Sequence, residues 1–162
     1  MTELNINNRE NLRAILNNLS PETPALFGLM TAQHMIEHLI LVTGFSNGKL
    51  HVMPQYPEEK IEKMKAIIIQ SPREISKGFK SPLLPEDSLL NLEYGDLNSA
   101  IDALFNALDQ FDIHLKENET LKPIHPTFGA LNYEEWVIFH NKHFTHHFKQ
   151  FGLIESIQPH TS

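Results

Sequence analysis

Cysteine is missing from all 162 residues of this chain. Its absence removes disulfides, thiolate nucleophiles and cysteine-ligated zinc together, so a transition-metal site here has only His, Asp and Glu to draw on. Positive charge is scarce as well: 13 Lys and Arg stand against 20 Asp and Glu, a formal net charge of −7. That balance leaves no basic surface for nucleic acid. No apolar run is long enough to span a membrane, and the opening Met1-Thr-Glu-Leu-Asn-Ile-Asn-Asn-Arg9 lacks the apolar core of an export signal, which makes a cytoplasmic location the default expectation. Three catalytic signatures are absent too. There is no Gly-x-Ser-x-Gly nucleophile elbow, no phosphate-binding glycine loop and no pair of Glu-x-x-His helices of the di-iron carboxylate kind. Hydrophobic residues make up 41% of the chain, somewhat low but ample for one domain with its own core.

What the chain does have is histidine. Four of its ten histidines fall within eight residues, in His140-Asn-Lys-His-Phe-Thr-His-His-Phe-Lys-Gln-Phe151. The preceding Asn132-Tyr-Glu-Glu-Trp136 reads as a helix start: Asn132 caps, Glu135 answers from the third helical position, and Leu131 and Trp136 staple across the turn. Gly152 supplies a stop. The histidines therefore ride a helix of about five turns. His143 and His147, four residues apart, share one face; Trp136, Phe139, His140 and Gln150 lie close to the same line, and Phe144, Phe148 and Phe151 form an adjoining apolar stripe.

Four further helices are predicted upstream. Leu12, Ile15, Leu16 and Leu19 mark one over Asn8–Leu19, ended by Ser20-Pro-Glu-Thr-Pro24. A second starts at the cap Thr31, with Met30 and Met35 as its staple, and carries His34, Met35, His38, Leu41, Val42 and Phe45 on one face before ending near Gly44 to Gly48. A short one follows Pro57 through Ile61, Met64 and Ile68, and a long one runs from Asp96 to Glu117. Residues 49–95, with five prolines, read as a long and partly helical connection, either a lid or a crossover spanning the molecule. Lys122-Pro-Ile-His-Pro-Thr-Phe-Gly129 reads as a turn-rich approach to the last helix, and the tail Ile157-Gln-Pro-His-Thr-Ser162 as frayed. Four long helices and one long connection, without internal repeat or domain boundary, predict a single all-α domain over 1–162, a four-helix bundle.

Packing the second helix against the last brings His38 towards His143 and His147. Three neutral imidazoles converging in a core suit Zn²⁺ or Ni²⁺ with an open position; left without a metal, they would be ordinary polar residues on a helical surface. His34 lies one turn from His38 and is an alternative third ligand. His34-Met-Ile-Glu-His38 also matches His-x-x-Glu-His, the zinc signature of inverted zincin peptidases, a reading that leaves the second histidine pair unexplained.

Phe27-Gly-x-Met30, Gln33-His-Met-Ile-Glu-His-Leu39, His125-Pro-Thr-Phe-Gly129 and His143-Phe-Thr-His-His-Phe-Lys-Gln-Phe-Gly152 together resemble the DinB-like superfamily, and within it a branch without an assigned function. The resemblance covers Leu12 to Gly152 and is weakest between residues 50 and 95. It implies a four-helix bundle in which His38, His143 and His147 bind a divalent metal. Characterised relatives include thiol-dependent transferases and isomerases; the superfamily's DNA-damage label describes expression. Two functional expectations follow. One is a metal-dependent hydrolase or thiol transferase acting on a small molecule, with a water or a small thiol in the open position, His146 and His140 as proton shuttles and Gln150 orienting a ligand. The other is a non-catalytic bundle, a dimer that senses or carries a partner. Neither expectation includes nucleic acid or membrane among the partners.

Overall fold

The computed structural model describes residues 3–77, 79, 81–85 and 88–155. Within them the chain is mostly helical, with five helices and one two-stranded sheet: α1 (Arg9–Leu16), α2 (Ala32–Thr43), α3 (Glu58–Ile68), α4 (Leu97–Lys116), β1 (Ile124–His125), β2 (Gly129–Ala130) and α5 (Tyr133–Gln150). No helix among the described residues is long and apolar enough to cross a membrane. The tail read as frayed and Gly78 of the irregular connection lie outside the described residues.

The caps form where their chemistry requires. Asn8, Thr31 and Asp96 each accept a backbone N–H of the first turn, and Asn132 and Glu135 close a reciprocal capping box at the head of α5. Pro57 sits one position before the first helical residue of α3. The first helix is shorter than its apolar stripe: after Leu16 the chain tightens into bonds from Asn18 N to Ile15 O and Leu19 N to Leu16 O, a winding that two consecutive asparagines favour over regular helix. Leu19 is still buried, so the stripe marked burial rather than helix.

Two local readings change. The stretch before α5 is a β-hairpin, antiparallel with Ile124 opposite Ala130 and His125 opposite Gly129. Its strands are two residues long, too short for any alternation to show in the sequence. On α2 the fully buried stripe is Ala32, Met35, Ile36, Leu39, Val42 and Thr43. His38 and Leu41 flank it instead of lying at its centre, because α2 packs along α4 on one side and meets α5 on the other, and the histidine side faces open space between elements.

The core joins Leu104, Leu108 and Phe111 of α4 to Met35, Ile36 and Leu39 of α2 and to Trp136, Phe139, Phe144 and Phe148 of α5. The N-terminal segment docks on α5, where Thr145 Oγ1 accepts from Leu4 N at 2.8 Å and Asn141 Oδ1 from Ile6 N at 2.8 Å. On another side of α5, Lys142 donates to the carbonyls of Ile68 and Ser71 at the end of α3, and Lys149 pairs with Glu74 at 2.7 Å. The lysines of the last helix are thus committed to holding the chain that leaves α3.

Candidate metal centre

Three imidazoles from two helices meet at one point. His38 comes from the middle of α2, and His143 and His147 from successive turns of α5. His38 Nε2 lies 3.0 Å from His143 Nε2, and His147 Nε2 lies 3.1 Å from the same atom. One ring nitrogen from each residue falls within 4.8 Å of the others. The rings are mutually steep, with interplanar angles of 75°, 67° and 76°, so they converge edge-on and do not stack.

Hydrogen bonding alone does not satisfy this arrangement. Gln150 Nε2 donates to the Phe27 carbonyl at 3.0 Å, which turns Gln150 Oε1 to face His147 Nδ1 at 2.7 Å. Nδ1 of His147 therefore carries the hydrogen and its Nε2 presents a lone pair. His143 Nε2 faces two other Nε2 atoms and holds at most one proton to share between them. Its Nδ1 is buried without a partner among the described residues. A cation at the meeting point removes the conflict, since all three Nε2 atoms can then be acceptors. Spacing fits too: nitrogens about 2.1 Å from a common ion sit about 3.0 to 3.4 Å apart in octahedral to tetrahedral arrangements. Burial lowers the His38 pKa to about 4, with the His146 charge adding to it. Burial, followed by neighbouring histidine charge, pushes His143 and His147 well below the ordinary value. All three are neutral at neutral pH, the form in which imidazole binds a metal.

Behind the cluster, the loop before α2 is built to hold Gln150. Leu26 N donates to the Gln150 backbone carbonyl at 2.7 Å. Gly28 has φ +82°, and a Cβ there would stand 2.8 Å from Gln150 Nε2. Glycine is required for both reasons. Gln150 thus orients His147. The supporting Phe27 carbonyl left no trace in the sequence beyond the Phe-Gly pair.

The remaining histidines separate. His34 Nδ1 lies 2.6 Å from Thr31 Oγ1 and its Nε2 3.1 Å from the Leu90 carbonyl oxygen, so both its nitrogens are engaged away from the cluster. Glu37 accepts from Glu93 N at 2.7 Å and from Gln33 Nε2 at 2.9 Å. The His-x-x-Glu-His stretch is therefore divided: His34 and Glu37 hold the 90–94 chain against α2, and only His38 reaches the site. His140 is not brought to the cluster. It is buried between Trp136 and Phe111, with Nε2 2.8 Å from Ser46 Oγ. His146 sits beside His147, ring centroids 4.9 Å apart, half-buried and with its pKa lowered by burial against the opposing pull of the Ile75 backbone and Glu74.

The three-histidine cluster lines a cavity of about 360 Å³. Phe27, Met30, Phe45 and Phe139 give it apolar walls, and Lys77, His125 and His146 add polar groups. Ile75, Phe79, Leu84 and Leu89, all from the irregular connection, form another side. A second cavity of about 420 Å³ adjoins it and shares His38, Met30 and Leu84. The long connection thus walls the space in front of the histidines.

A family model described as "Protein of unknown function (DUF1569)" matches residues 1–152. No curated protein and no solved structure matches the chain.

Proposed function

Starting from a chain that belongs to the DUF1569 family of unknown function, we propose that it is a divalent-metal-dependent enzyme, a hydrolase or thiol-dependent transferase, with His38, His143 and His147 as the ligands of Zn²⁺ or Ni²⁺. The observation that carries this reading is the position of the three converging Nε2 atoms on the wall of a cavity large enough for a small molecule. The accompanying fold reading is a DinB-like four-helix bundle of α1, α2, α4 and α5, supported by the packing of α2 on α4 and α5 and by the sequence resemblance.

A dication held by three neutral imidazoles keeps its full charge and lowers the pKa of a water or thiol beside it towards about 7. The protein's own contribution is positional. Gln150 fixes the tautomer and angle of His147, Phe139 stacks on His143 at 5.1 Å, and the cavity walls are mostly apolar. His146, next to the ligand pair and on the cavity wall, is placed to carry a proton to or from the ligand. His140 is placed for packing.

Cobalt substitution tests the open position. Small thiols are expected to bind the Co²⁺ protein with micromolar to millimolar affinity and to raise a sulfur-to-metal absorption band. DNA should show no salt-sensitive binding, because the net charge is −7 and Lys142 and Lys149 are spent on internal bonds. A spectrum that thiols, azide and carboxylates all leave unchanged would mean a closed coordination sphere, and the enzyme reading would give way to a metal-stabilised binding module, such as a dimer.

The choice of third ligand is tested separately. His34→Ala should keep the metal and cost about 1 kcal/mol in urea unfolding, the worth of its bond to the Leu90 carbonyl. His38→Ala should lose the metal. The opposite pattern would move the ligand one turn along α2.

A further inference from the structure

We propose that His125 is a substrate-binding residue, an N–H donor facing the cavity that, with Lys77, selects ligands bearing a carboxylate a short chain away from the group that meets the metal. The proposal rests on the metal reading above and names the substrate class for that site.

The argument begins with a tautomer. His125 Nδ1 accepts from Thr127 N at 3.0 Å and from Phe128 N at 3.4 Å. A nitrogen that accepts backbone N–H bonds cannot carry the hydrogen, so the hydrogen is on Nε2. Burial, with the His140 charge adding to it, keeps the ring neutral by pushing its pKa well below the ordinary value. The ring cannot turn over to trade its nitrogens. Phe128 at 4.5 Å, Phe139 at 4.4 Å and Trp136 at 5.5 Å hold it between ring centroids, and the hairpin pins its backbone opposite Gly129. The result is a rigid donor of one fixed sense.

That donor faces the site. His125 lines the same cavity as His38, His143 and His147, and Phe139 lies between the two groups, touching His125 on one side and stacking on His143 on the other. Among the described residues nothing accepts a hydrogen bond from His125 Nε2, and that atom is not among the fully buried side-chain atoms left without partners. A rigid, neutral imidazole N–H on a cavity wall is suited to an oxygen acceptor on a ligand.

The charge of the acceptor follows from the rest of the wall. Lys77 lines the cavity, its Nζ 4.8 Å from the Phe27 ring centroid. No Asp or Glu is among the described residues that line this cavity, whereas the adjoining one has Glu37 and Glu93. In a chain of net charge −7, a cavity whose described lining has a lysine and the His125 donor and no carboxylate favours anions. The metal position takes one end of the ligand, and the lysine and His125 take an anionic oxygen at the other.

The test uses the Co²⁺-substituted full chain and two three-carbon thiols, 3-mercaptopropionate and neutral 3-mercapto-1-propanol, titrated by the sulfur-to-cobalt band. 3-Mercaptopropionate should bind about tenfold tighter, the size expected of one charge-assisted hydrogen bond in an apolar site. His125→Asn keeps the turn, since an Asn side-chain oxygen can accept the N–H two residues on, and removes the donor. It should abolish most of the preference, lowering the affinity for 3-mercaptopropionate far more than that for 3-mercapto-1-propanol. Lys77→Met, at an exposed position that tolerates substitution, should cut the preference in the same direction and decides the matter if His125→Asn does not fold. Equal affinities in the parent, or a preference that survives both changes, would overturn this inference alone. A protein that takes up cobalt but gives no band with either thiol would overturn the open-position reading and this inference with it.

Discussion

Protein made without a histidine tag and purified without chelators is expected to carry about one Zn or Ni per chain, and the double change His143→Ala, His147→Ala to carry none. The magnitude follows from geometry. Two of the three converging nitrogens leave together, and a single imidazole from α2 cannot hold a dication against water. The loss should also register as stability, since a metal bound to the folded chain alone adds its binding free energy to folding. The melting temperature of the parent should drop on chelation, and that of the double variant should not respond to chelator. His147 has a further dependence on Gln150 through the 2.7 Å bond to its Nδ1, so a Gln150→Ala protein should retain metal at about 10- to 100-fold weaker affinity. Element analysis that finds undiminished metal after both histidines are removed would place the ion elsewhere.

Much of the histidine cluster is legible in the sequence, for a physical reason. The i, i+4 spacing of His143 and His147 and the capping box at Asn132 and Glu135 are local features, fixed by helical geometry within a few residues. His38 needed one more step, the packing of α2 on α5, and the apolar stripe of each helix supplied it only to within a turn. What separated His38 from His34 was a contact made by chain more than fifty residues away, the carbonyl of Leu90. Non-local partners leave no period in a sequence. The same holds for Lys142, which is buried on the carbonyls of Ile68 and Ser71, more than seventy residues away in sequence. Residues 49–95 were the least legible because irregular chain is shaped by what it covers; only the fold shows that its apolar residues wall a cavity. The hairpin around His125 failed for a simpler reason, being two residues per strand.

His140 was read in the sequence with the reactive histidines, and its surroundings predict a different phenotype. Ser46 Oγ donates its one hydrogen to the Thr43 carbonyl at 2.9 Å, so it accepts from His140 Nε2 at 2.8 Å. His140 Nδ1 is then a lone pair buried without a partner among the described residues, packed near Phe111 and Trp136. Protonating it would bury an uncompensated charge, and desolvation lowers its pKa to about 3. An unfolded histidine titrates near ~6.5, so below that pH the unfolded chain binds the extra proton and the folded chain does not. Stability owed to the neutral ring is therefore complete above the unfolded value and is lost as pH falls towards the folded one, at about 1.4 kcal/mol per pH unit. His140→Leu removes that titration together with one hydrogen bond. In chelator-treated protein, where metal release plays no part, the variant should be about 1 kcal/mol less stable than the parent at neutral pH for want of the Ser46 bond. By pH ~5 it should be about 1 kcal/mol more stable, because the parent has by then lost about 2 kcal/mol that the variant never had. Urea unfolding of the two proteins across this range reads the crossing directly. Parallel curves would mean that His140 titrates alike in both states and is not sealed in the core as its contacts indicate.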